Sequence, residues 1–332
     1  MILTLRSCAA ADLVDIALHP ALAAGPVDAA RLHHDAPDAH WLALRDGVAV
    51  ARASLWWHDL PAWADGPLGY IGHYAAADAE AGRAVLEHAA LELTHHGVTR
   101  AVGPIDGNTW RAYRLVVQRG DLPPFFLEPQ NPDDWPAHFT AAGFTEFAHY
   151  TSALVEHIEI GSPAVAAAYA RLTAAGYRFR GLNLEHADRE LAALLDVSLA
   201  AFARNLLYSP ISRAEFLAHY AQILPTVDPR LVLLAERDDV VVGYVFALPD
   251  LLAAARTGAT HTVVVKTLAV HPAHAGSGIG GVLTDLCQQA ALDLGYTRVI
   301  HALMLDTNVS QRISQRYGRP FRRYALFSRV LP

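Results

Sequence analysis

Apolar and polar positions divide the chain into two series of predicted strands and helices. In the first series, residues 41–57 (WLALRDGVAVARASLWW) predict two strands joined by a tight turn at Asp46-Gly47. Residues 68–76 predict a buried strand, and helical spacing from 79 to 96 ends at Gly97, a typical C-terminal cap residue. The series closes with two strands, 99–105 and 145–158. A long loop, 103–136, and a short helical segment, 132–144, lie between them.

The second series repeats this order after residue 176. A strand is followed by two helices and a hairpin, and the hairpin turns at Arg237-Asp238-Asp239. A strand rich in β-branched residues comes next, and a helix, a strand, a short helix and a final strand follow it. In chain order, the predicted segments are the strand 177–183, the two helices within 188–224, the hairpin 231–248, the strand 260–270, the helix 278–294, the strand 297–305, the short helix 308–317 and the final strand 322–331.

One stretch matches between the two series at residue level. AALEL (89–93) followed by GVTR (97–100) parallels AALDL (290–294) followed by GYTR (295–298). The shared order of elements favours a duplicated α+β unit over coincidence. We therefore expect two domains, 1–160 and 177–332, joined by an alanine-rich linker helix over 161–176.

Composition excludes several classes of function. The chain has 332 residues, 53% of them hydrophobic and 18% charged, with a formal net charge of −7. A nucleic-acid binder needs a basic field, and a membrane helix needs about 18 consecutive apolar residues, so we expect neither partner. Cys8 and Cys287 cannot build a disulfide framework or a zinc site, so no metal is expected. The N-terminus lacks the pattern of a secretory signal, which favours the cytoplasm.

The glycine-rich segment 271–281, HPAHAGSGIGG, lies between a strong strand and a strong helix. Glycines there expose backbone N–H groups at a helix N-terminus, an arrangement that binds phosphate. An ordinary strand-to-helix turn rarely needs so many glycines. A dinucleotide fingerprint also matches formally, but its first glycine lies too far from the strand and too few residues follow.

The residues from Thr267 to Leu283, T-L-A-V-H-P-x-x-x-G-x-G-I-G-x-x-L, resemble the acyl-CoA loop of the GNAT N-acetyltransferases. The resemblance covers 177–331 well and the first half only as a degenerate copy. It implies an α+β fold of two tandem GNAT-like mixed-sheet domains with helices on both faces. It further implies transfer of an acetyl group from acetyl-CoA to the amine of a small-molecule or peptide acceptor, by a monomer or homodimer.

The resemblance also assigns roles to individual residues. Backbone groups of Leu268, Ala269 and Val270 would hold the pantetheine arm, and the Val270 N–H would polarise the thioester carbonyl. Asn308 and Ser310 would contact the pantetheine or lie close to it. The pyrophosphate would be wrapped by Ala275, Gly276, Ser277, Gly278, Ile279 and Gly280.

Three positions depart from the family pattern. Ala275 replaces the Arg or Gln that usually opens the loop, Val264 replaces the frequent general-base Glu, and Ser314 replaces the frequent general-acid Tyr. Tyr317 lies one turn further along the same predicted helix, and its phenol is a better acid than a serine hydroxyl. We therefore predict that Tyr317 or Ser314 protonates the leaving thiolate, with Tyr317 favoured; a packed ring is the other interpretation of Tyr317.

Two other polar residues admit alternatives. Asp250 is either an acceptor-site residue or the N-cap of the segment LLAAAR, and His261 is either a base acting through water or a solvated strand-edge residue.

The first copy has lost the phosphate loop. Its equivalent segment, 75–85, has one glycine and two acids, Asp78 and Glu80, which suit a helix N-terminus but repel a pyrophosphate. One acyl-CoA site per chain is expected. The aromatic loop 103–136 either lines the acceptor pocket or seals the two halves together. The rival functions are a non-catalytic acyl-CoA sensor, and an acyltransferase for a longer acyl chain or a hydroxyl acceptor.

Overall fold

A computed structural model describes residues 3–23, 25, 27–221 and 223–332. It confirms most of the predicted elements and adds short ones near the N-terminus and after Asp250. The strands are β1 Leu3–Ser7, β2 Ala17–Leu18, β3 Ala39–Arg45, β4 Val48–Trp56, β5 Leu68–Ala76, β6 Arg100–Gly103, β7 Leu115–Gln118, β8 Thr145–Val155, β9 Tyr177–Gly181, β10 Val232–Arg237, β11 Val240–Pro249, β12 Thr262–Val270, β13 Arg298–Leu305 and β14 Arg319–Val330. The helices are α1 Pro20–Ala23, α2 Ala29–Asp35, α3 Ala79–His95, α4 Trp135–Ala141, α5 Pro163–Ala174, α6 Ala187–Phe202, α7 Arg213–Ala221, α8 Leu251–Thr257, α9 Ile279–Asp293 and α10 Val309–Ser314.

The strands form one continuous mixed sheet that runs through both halves of the chain. The order along it is β1-β3-β4-β5-β6-β14-β8-β13-β12-β11-β10-β9, with β2 beside β4 and β7 beside β14. Alternate side chains of β11 pack on opposite faces, as a strand requires. Val245 and Ala247 contact the core under α5 and α9, whereas Tyr244, Phe246 and Leu248 contact the core under α6 and α7. The mixed α+β architecture with helices on both faces is therefore confirmed.

Each half contains a strand–helix–strand unit with a parallel strand pair. Strand β5 pairs with β6 after the crossover helix α3, and β12 pairs with β13 after the crossover helix α9. The residue-level match noted in the sequence falls at the same place in both units, where the helix ends and the second strand begins. The two halves thus share this unit, as the duplication hypothesis requires.

The terminal strands are exchanged between the halves. Strand β14, at the end of the chain, pairs with β6 of the first half, and β8, at the end of the first half, pairs with β13 of the second. Strands β14 and β8 also pair with each other over nearly their full lengths. The linker is a helix as expected, α5, but the sheet does not divide there. The boundaries at 160 and 176 thus remain a prediction, and each half completes the sheet of the other.

Within the part of the chain that the structure describes, no helix has the length and apolarity needed to cross a membrane.

Candidate active site

The glycine loop joins β12 to the N-terminus of α9. Gly276 has φ of 76° and Gly278, the N-cap residue of α9, has φ of 100°, both in the left-handed region. A Cβ on Gly276 would meet no atom within 4 Å, so the space beside the loop is open. Both glycines are therefore needed for the backbone conformation, and Gly276 also leaves room for close approach of a ligand. The loop presents N–H groups at the start of a 15-residue helix.

A cation from the linker helix lies at this loop. Arg171, on α5, donates from Nη2 to the carbonyl oxygen of Ser277 at 2.6 Å. The same Nη2 lies 3.4 Å from the position that a Cβ on Gly278 would occupy. Ala275 offers no side-chain charge, and Arg171 places one at the loop from 106 residues away in the sequence. Sequence reasoning missed Arg171 because nothing in the linker pattern relates it to the loop.

The strands β12 and β13 separate beside the loop. Their parallel pairing runs from Thr262 opposite Arg298 to Val265 opposite His301, and does not continue beyond that pair. The His271 N–H bonds the Val242 carbonyl across to β11. Because backbone groups alternate along an antiparallel strand, those of Leu268 and Val270 point away from β11, into the gap. This is the orientation that the predicted pantetheine and carbonyl contacts require.

Ala269 does not fit its predicted role. The same alternation directs its backbone N–H and C=O toward Tyr244 on β11, its register partner. Its side chain is buried in the core under α6. Of the three residues of this strand that were predicted to bind pantetheine, the geometry thus supports Leu268 and Val270.

A cavity of about 270 Å³ fills the gap between β12 and β13. Among the predicted site residues, Leu268, Asn308, Ser310 and Ser314 line it, whereas Val270 and the glycine loop lie beyond its end. Asn308 is the N-cap residue of α10, yet its side chain makes no capping hydrogen bond, so its amide is free to meet a ligand. The cavity is where a reacting group would have to lie if acyl-CoA occupied the glycine loop.

The first half of the chain builds the opposite wall of the cavity. Trp110, Tyr113 and Arg114 come from the aromatic loop 103–136 and line the cavity. The Trp110 indole also donates to the Ser209 carbonyl at 2.9 Å, which joins the two halves. The loop therefore lines this cavity and also joins the two halves, and its role as a wall of the acceptor pocket stays a prediction.

A buried ion pair anchors this loop to the exchanged strand β14. Glu128 accepts from Arg322 Nη1 at 2.5 Å and from the Tyr324 hydroxyl at 2.5 Å. Neither side chain of the Arg322–Glu128 pair is exposed to solvent. Breaking such a pair leaves an uncompensated buried charge, so the loop is held firmly against the sheet.

Four basic side chains line the cavity. Lys266, the sole lysine of the chain, lies on β12 and lines the cavity together with Arg114, His219 and His301. Desolvation, and after it the charge of Arg114, lowers the pKa of Lys266 to about 7. Burial lowers the pKa of His301 to about 4. Lys266 is therefore close to half deprotonated at neutral pH, and His301 is neutral.

Lys266 lies at a register shift between β11 and β12, close in sequence to the position where the family often has its base. Val264, two residues earlier, is fully buried and has no proton to exchange. The sequence gives no sign of a role for Lys266, because one lysine in a β-branched strand resembles an ordinary strand-face residue. Its special position follows from the separation of the two strands, which the local pattern does not encode.

The preference for Tyr317 as the acid is not supported by the geometry. Ser314 is buried and lines the cavity, and its Oγ lies 2.9 Å from Nδ1 of His301. Tyr317 does not line the cavity; its ring packs against the core under α5 and α9. Burial, and after it the carboxylate of Asp285, raises the pKa of the Tyr317 phenol to about 12. The packed-ring interpretation describes Tyr317 better.

Asp250 and His261 follow their structural interpretations. Asp250 is the N-cap of α8, and its Oδ1 accepts from the Ala253 N–H at 3.1 Å and from the Phe126 N–H at 2.9 Å. His261 is exposed just before β12 and does not line the cavity. Neither residue lines the cavity.

The corresponding region of the first half is closed. Asp78 caps α3 at the Ala81 N–H, and Arg45 pairs with both Asp78 and Glu80, at 2.7 and 2.8 Å. Beyond the short β5–β6 pairing, the Ile105 N–H bonds the Ile71 carbonyl at 2.9 Å and fills the space where a gap would open. Acids and a closed gap both argue against a second acyl-CoA site there.

The comparisons with known proteins agree with this geometry. A family model described as "Acetyltransferase (GNAT) family" matches residues 198–318. The second half of the chain thus contains a segment that matches the GNAT family model. That segment contains β12, the glycine loop, α9 and α10, which are the elements that build the gap.

Two solved structures share the fold along nearly the whole chain. One is described as a GCN5-related glucosamine N-acetyltransferase region in a fungal multi-domain GH3 β-N-acetylglucosaminidase; the TM-score is 0.56 at 12% identity, over 99% of this chain and 38% of that one. The other is a GCN5-related N-acetyltransferase from Anabaena variabilis, with a TM-score of 0.55 at 10% identity, over 100% of this chain and 73% of that one. At such identities the likeness concerns the fold alone.

A curated relative is similar at the level of sequence. The "Bacterial ceramide synthase" of Caulobacter vibrioides is 29% identical over 217 residues, which cover 63% of this chain. The match spans 56% of that protein, so the chain corresponds to little more than half the length of its relative.

Proposed function

We propose that the protein is an acyl-CoA-dependent N-acyltransferase that forms an amide from an acyl thioester and an amine. The observation that carries this proposal is the gap between β12 and β13, which joins the glycine loop to a buried cavity. Acyl-CoA would lie along the gap with its pyrophosphate at the loop and its thioester beside Val270. The amine would enter from the cavity side and meet the carbonyl carbon there.

The loop and its flanking cation supply the donor site. Gly276 leaves room for the pyrophosphate, and Arg171 supplies the positive charge that Ala275 lacks. Backbone groups of Leu268 and Val270 would pair with the pantetheine amides as an added strand. Holding the two reactants side by side accounts for much of the expected acceleration.

The residues of the cavity can serve the proton transfers. The amine attacks in its neutral form and loses one proton as the amide forms, and Lys266, with its pKa near 7, is the candidate acceptor of that proton through water. As the N–C bond forms, the carbonyl oxygen gains negative charge and the Val270 N–H stabilises it. The C–S bond then breaks, and the thiolate takes a proton either from water or from Ser314, which regains its proton from water.

His301 is the candidate positioning residue for Ser314. With its proton on Nδ1, neutral His301 donates to the Ser314 oxygen, which leaves the hydroxyl proton free to point toward the thiolate. In that tautomer Nε2 is an acceptor, and it has no partner within the described residues.

The donor acyl chain is the open part of the proposal. Acetyl-CoA is the donor that the family resemblance favours. A ceramide is an amide that contains long hydrocarbon chains, so the Caulobacter relative points to a longer donor or acceptor. The aromatic and aliphatic wall of Trp110, Phe202 and Ile223 suits such a chain. The alternative, a non-catalytic acyl-CoA sensor, is favoured by Val264 and Ser314, where the family often has its acid and base.

The experiment is a thiol-release assay with acetyl-, octanoyl- and palmitoyl-CoA against a panel of amines, with mass spectrometry of the products. Calorimetry with each CoA thioester gives affinity and stoichiometry, for which we expect one site per chain. Steady CoA release with an N-acylated product supports the enzyme. Tight binding without turnover for every donor and amine supports the sensor, and no binding at all contradicts both.

A further inference from the structure

Arg114 is a buried cation that forms no ion pair with any carboxylate in the part of the chain that the structure describes. Arg114 is 5% exposed, and its Cζ lies 3.9 Å from the centre of the Tyr113 ring and 4.3 Å from the centre of the Tyr150 ring. One hydrogen bond runs from Nη1 to the Leu303 carbonyl at 3.3 Å, and Nε has no partner in the described part of the chain. The two rings fix the plane of the guanidinium and leave its charge directed at the cavity.

The surroundings of Arg114 do not neutralise it. Among the described residues, the cavity wall includes Lys266, His219 and His301 but no aspartate or glutamate. Glu215, which lies one helical turn before His219 on α7, is bound by Arg111 at 3.1 Å. Burying an unpaired charge is costly, and a guanidinium cannot lose its proton as Lys266 can. The fold thus keeps a permanent positive charge in the cavity.

The backbone at this place is also unusual. Arg114 has φ of 68°, and Leu303, whose carbonyl Arg114 contacts, has φ of 59°. Non-glycine residues rarely adopt the left-handed region, and they cluster at ligand sites, where the surrounding structure holds the strain. Both residues line the cavity. These two backbone conformations, which non-glycine residues rarely adopt, place the Arg114 guanidinium in the wall of the cavity.

The phosphates of acyl-CoA are not the partners of Arg114. Lys266, which lies close enough to Arg114 for the two charges to interact, precedes Val270 by four strand residues, about 13 Å. The glycine loop continues away from the cavity beyond Val270. An anion that reaches Arg114 therefore belongs to the other substrate.

We propose that the acceptor is an amine that carries a carboxylate or phosphate group, and that Arg114 binds this anionic group. The inference rests on the proposed N-acyl transfer. With the anion held at Arg114, the amine of the same molecule lies toward Lys266 and the thioester. The fixed charge of Arg114 favours the neutral form of Lys266, which can then accept a proton. Arg114 itself stays charged and can bind the anionic group of the substrate.

The test compares matched acceptors that differ only in charge: phenylalanine with phenylalaninamide, O-phosphoethanolamine with ethanolamine, and sphinganine 1-phosphate with sphinganine. We expect the anionic member of at least one pair to have a kcat/KM at least ~100-fold higher than its partner. The pair that responds distinguishes carboxylate from phosphate. Arg114→Gln should bring the ratio close to one through KM, and Arg114→Lys should give an intermediate ratio. Arg119→Gln, on the same segment but paired with Asp133 outside the cavity, is the matched control.

A binding arm keeps this inference separate from the proposed function. N-acetylphenylalanine and its amide have no free amine, so calorimetry measures their binding without any turnover. Preference for the carboxylate, lost in Arg114→Gln, supports the anion site even where no acyl transfer is found. Equal use of neutral and anionic amines overturns the inference and leaves N-acyl transfer intact. An unchanged preference for the anionic acceptors in Arg114→Gln, with normal thermal stability, also overturns it.

Discussion

Arg171 on the linker helix donates a hydrogen bond to the Ser277 carbonyl in the glycine loop, across 2.6 Å. The contact links the segment between the two halves to the proposed pyrophosphate site. Gly278, the next residue, is the N-cap of α9, so the guanidinium lies beside the positive end of that helix. The Arg171 guanidinium and the N-terminus of α9 together form a positively charged site that favours an anion. Without an anion, the two positive charges repel each other.

We predict that Arg171→Glu lowers the affinity for acetyl-CoA roughly 10- to 100-fold, because a charge-assisted contact to phosphate is replaced by repulsion. Calorimetry measures the dissociation constant. The matched control is Arg189→Glu, the same change at an exposed position of α6, on the opposite face of the sheet. Equal affinities for both variants and the unchanged protein would remove Arg171 from the site.

Arg171 is also a cleaner probe than the glycine itself. Gly278→Asp introduces a carboxylate at the loop, but a Cβ there would meet the Ala168 Cβ at 3.2 Å, and its φ of 100° strains any other residue. Loss of binding in that variant would mix local distortion with charge repulsion. Arg171 is exposed, so its replacement leaves the loop backbone in place.

We predict that the ε-amine of Lys266 titrates near pH 7 in the folded protein. Desolvation and the charge of Arg114 lower its pKa, and His219 adds a further positive group whenever it is protonated. Since the chain has a single lysine, 13C-labelled lysine gives one Cε resonance, and its shift with pH reports this residue alone. Arg114→Gln should raise the midpoint, because it removes a like charge. A midpoint near 10 in the unchanged protein would refute the assignment.

The same titration has a kinetic consequence. A base works when it is deprotonated, so kcat should fall about tenfold per pH unit below pH 7 and level off above it. Lys266→Met should lower kcat ~100- to 10,000-fold and abolish this limb, with little change in the affinity for acetyl-CoA. If Lys266→Met keeps both the fall of kcat below pH 7 and the rate of the unchanged protein, then water and not Lys266 removes the proton.

Much of the second half could be predicted because its signals are local. The β-branched run 260–270, the glycines at 276 and 278 and the helical spacing after them predict a strand, a turn and a helix in that order. Gly276 and Gly278 adopt the positive φ that their residue type allows. The predicted hairpin turn at Asp238-Asp239 is confirmed in the same way, with both residues at positive φ.

The rest depends on pairings between distant segments. Strands β8 and β14 have similar lengths and alternation, so nothing in either strand says whether it joins its own half or the other. The contact of Arg171 with Ser277 and that of Arg114 with Leu303 join residues 106 and 189 positions apart. Lys266 becomes a cavity residue only because β13 turns away beside it. Such features follow from tertiary packing, which the pattern of one segment does not encode.

We predict that Ser314→Ala lowers kcat about tenfold at unchanged affinity for acetyl-CoA, and that Tyr317→Phe changes kcat less than twofold. Ser314 lines the cavity beside His301, whereas the Tyr317 ring packs in the core. Single-turnover rates with a fixed donor measure the effect. Ser314→Thr keeps the hydroxyl and should restore most of the rate. A large loss in Tyr317→Phe with normal thermal stability would reinstate the phenol as the acid.

A buried network in the first half makes stability depend on pH. The Ser54 hydroxyl lies 2.7 Å from His40 Nδ1 and 2.9 Å from His73 Nδ1, and His73 Nε2 lies 2.8 Å from Asp35. Burial, and after it the charges of His73 and Arg52, lowers the pKa of His40 to about 3. Burial by itself would raise the pKa of Asp35, but its hydrogen bonds to His73, His34 and Arg31 hold it well below its usual range.

We predict that His40→Asn flattens the loss of stability between pH 6.5 and pH 4.5. In this window the unfolded chain binds a proton at His40 and the folded protein does not, so the folded state loses up to ~1.4 kcal/mol per pH unit as the pH falls. The Asn amide can reproduce the Nδ1 contact to Ser54 without titrating. Asp35 adds its loss only below its unfolded pKa of about 4, and His301, which remains in the variant, keeps part of the slope. Thermal unfolding measured across this pH window should therefore show a smaller decrease in Tm for His40→Asn than for the unchanged protein. The exposed control His33→Asn should behave like the unchanged protein. Parallel decreases in all three would mean that His40 is already charged in the folded protein.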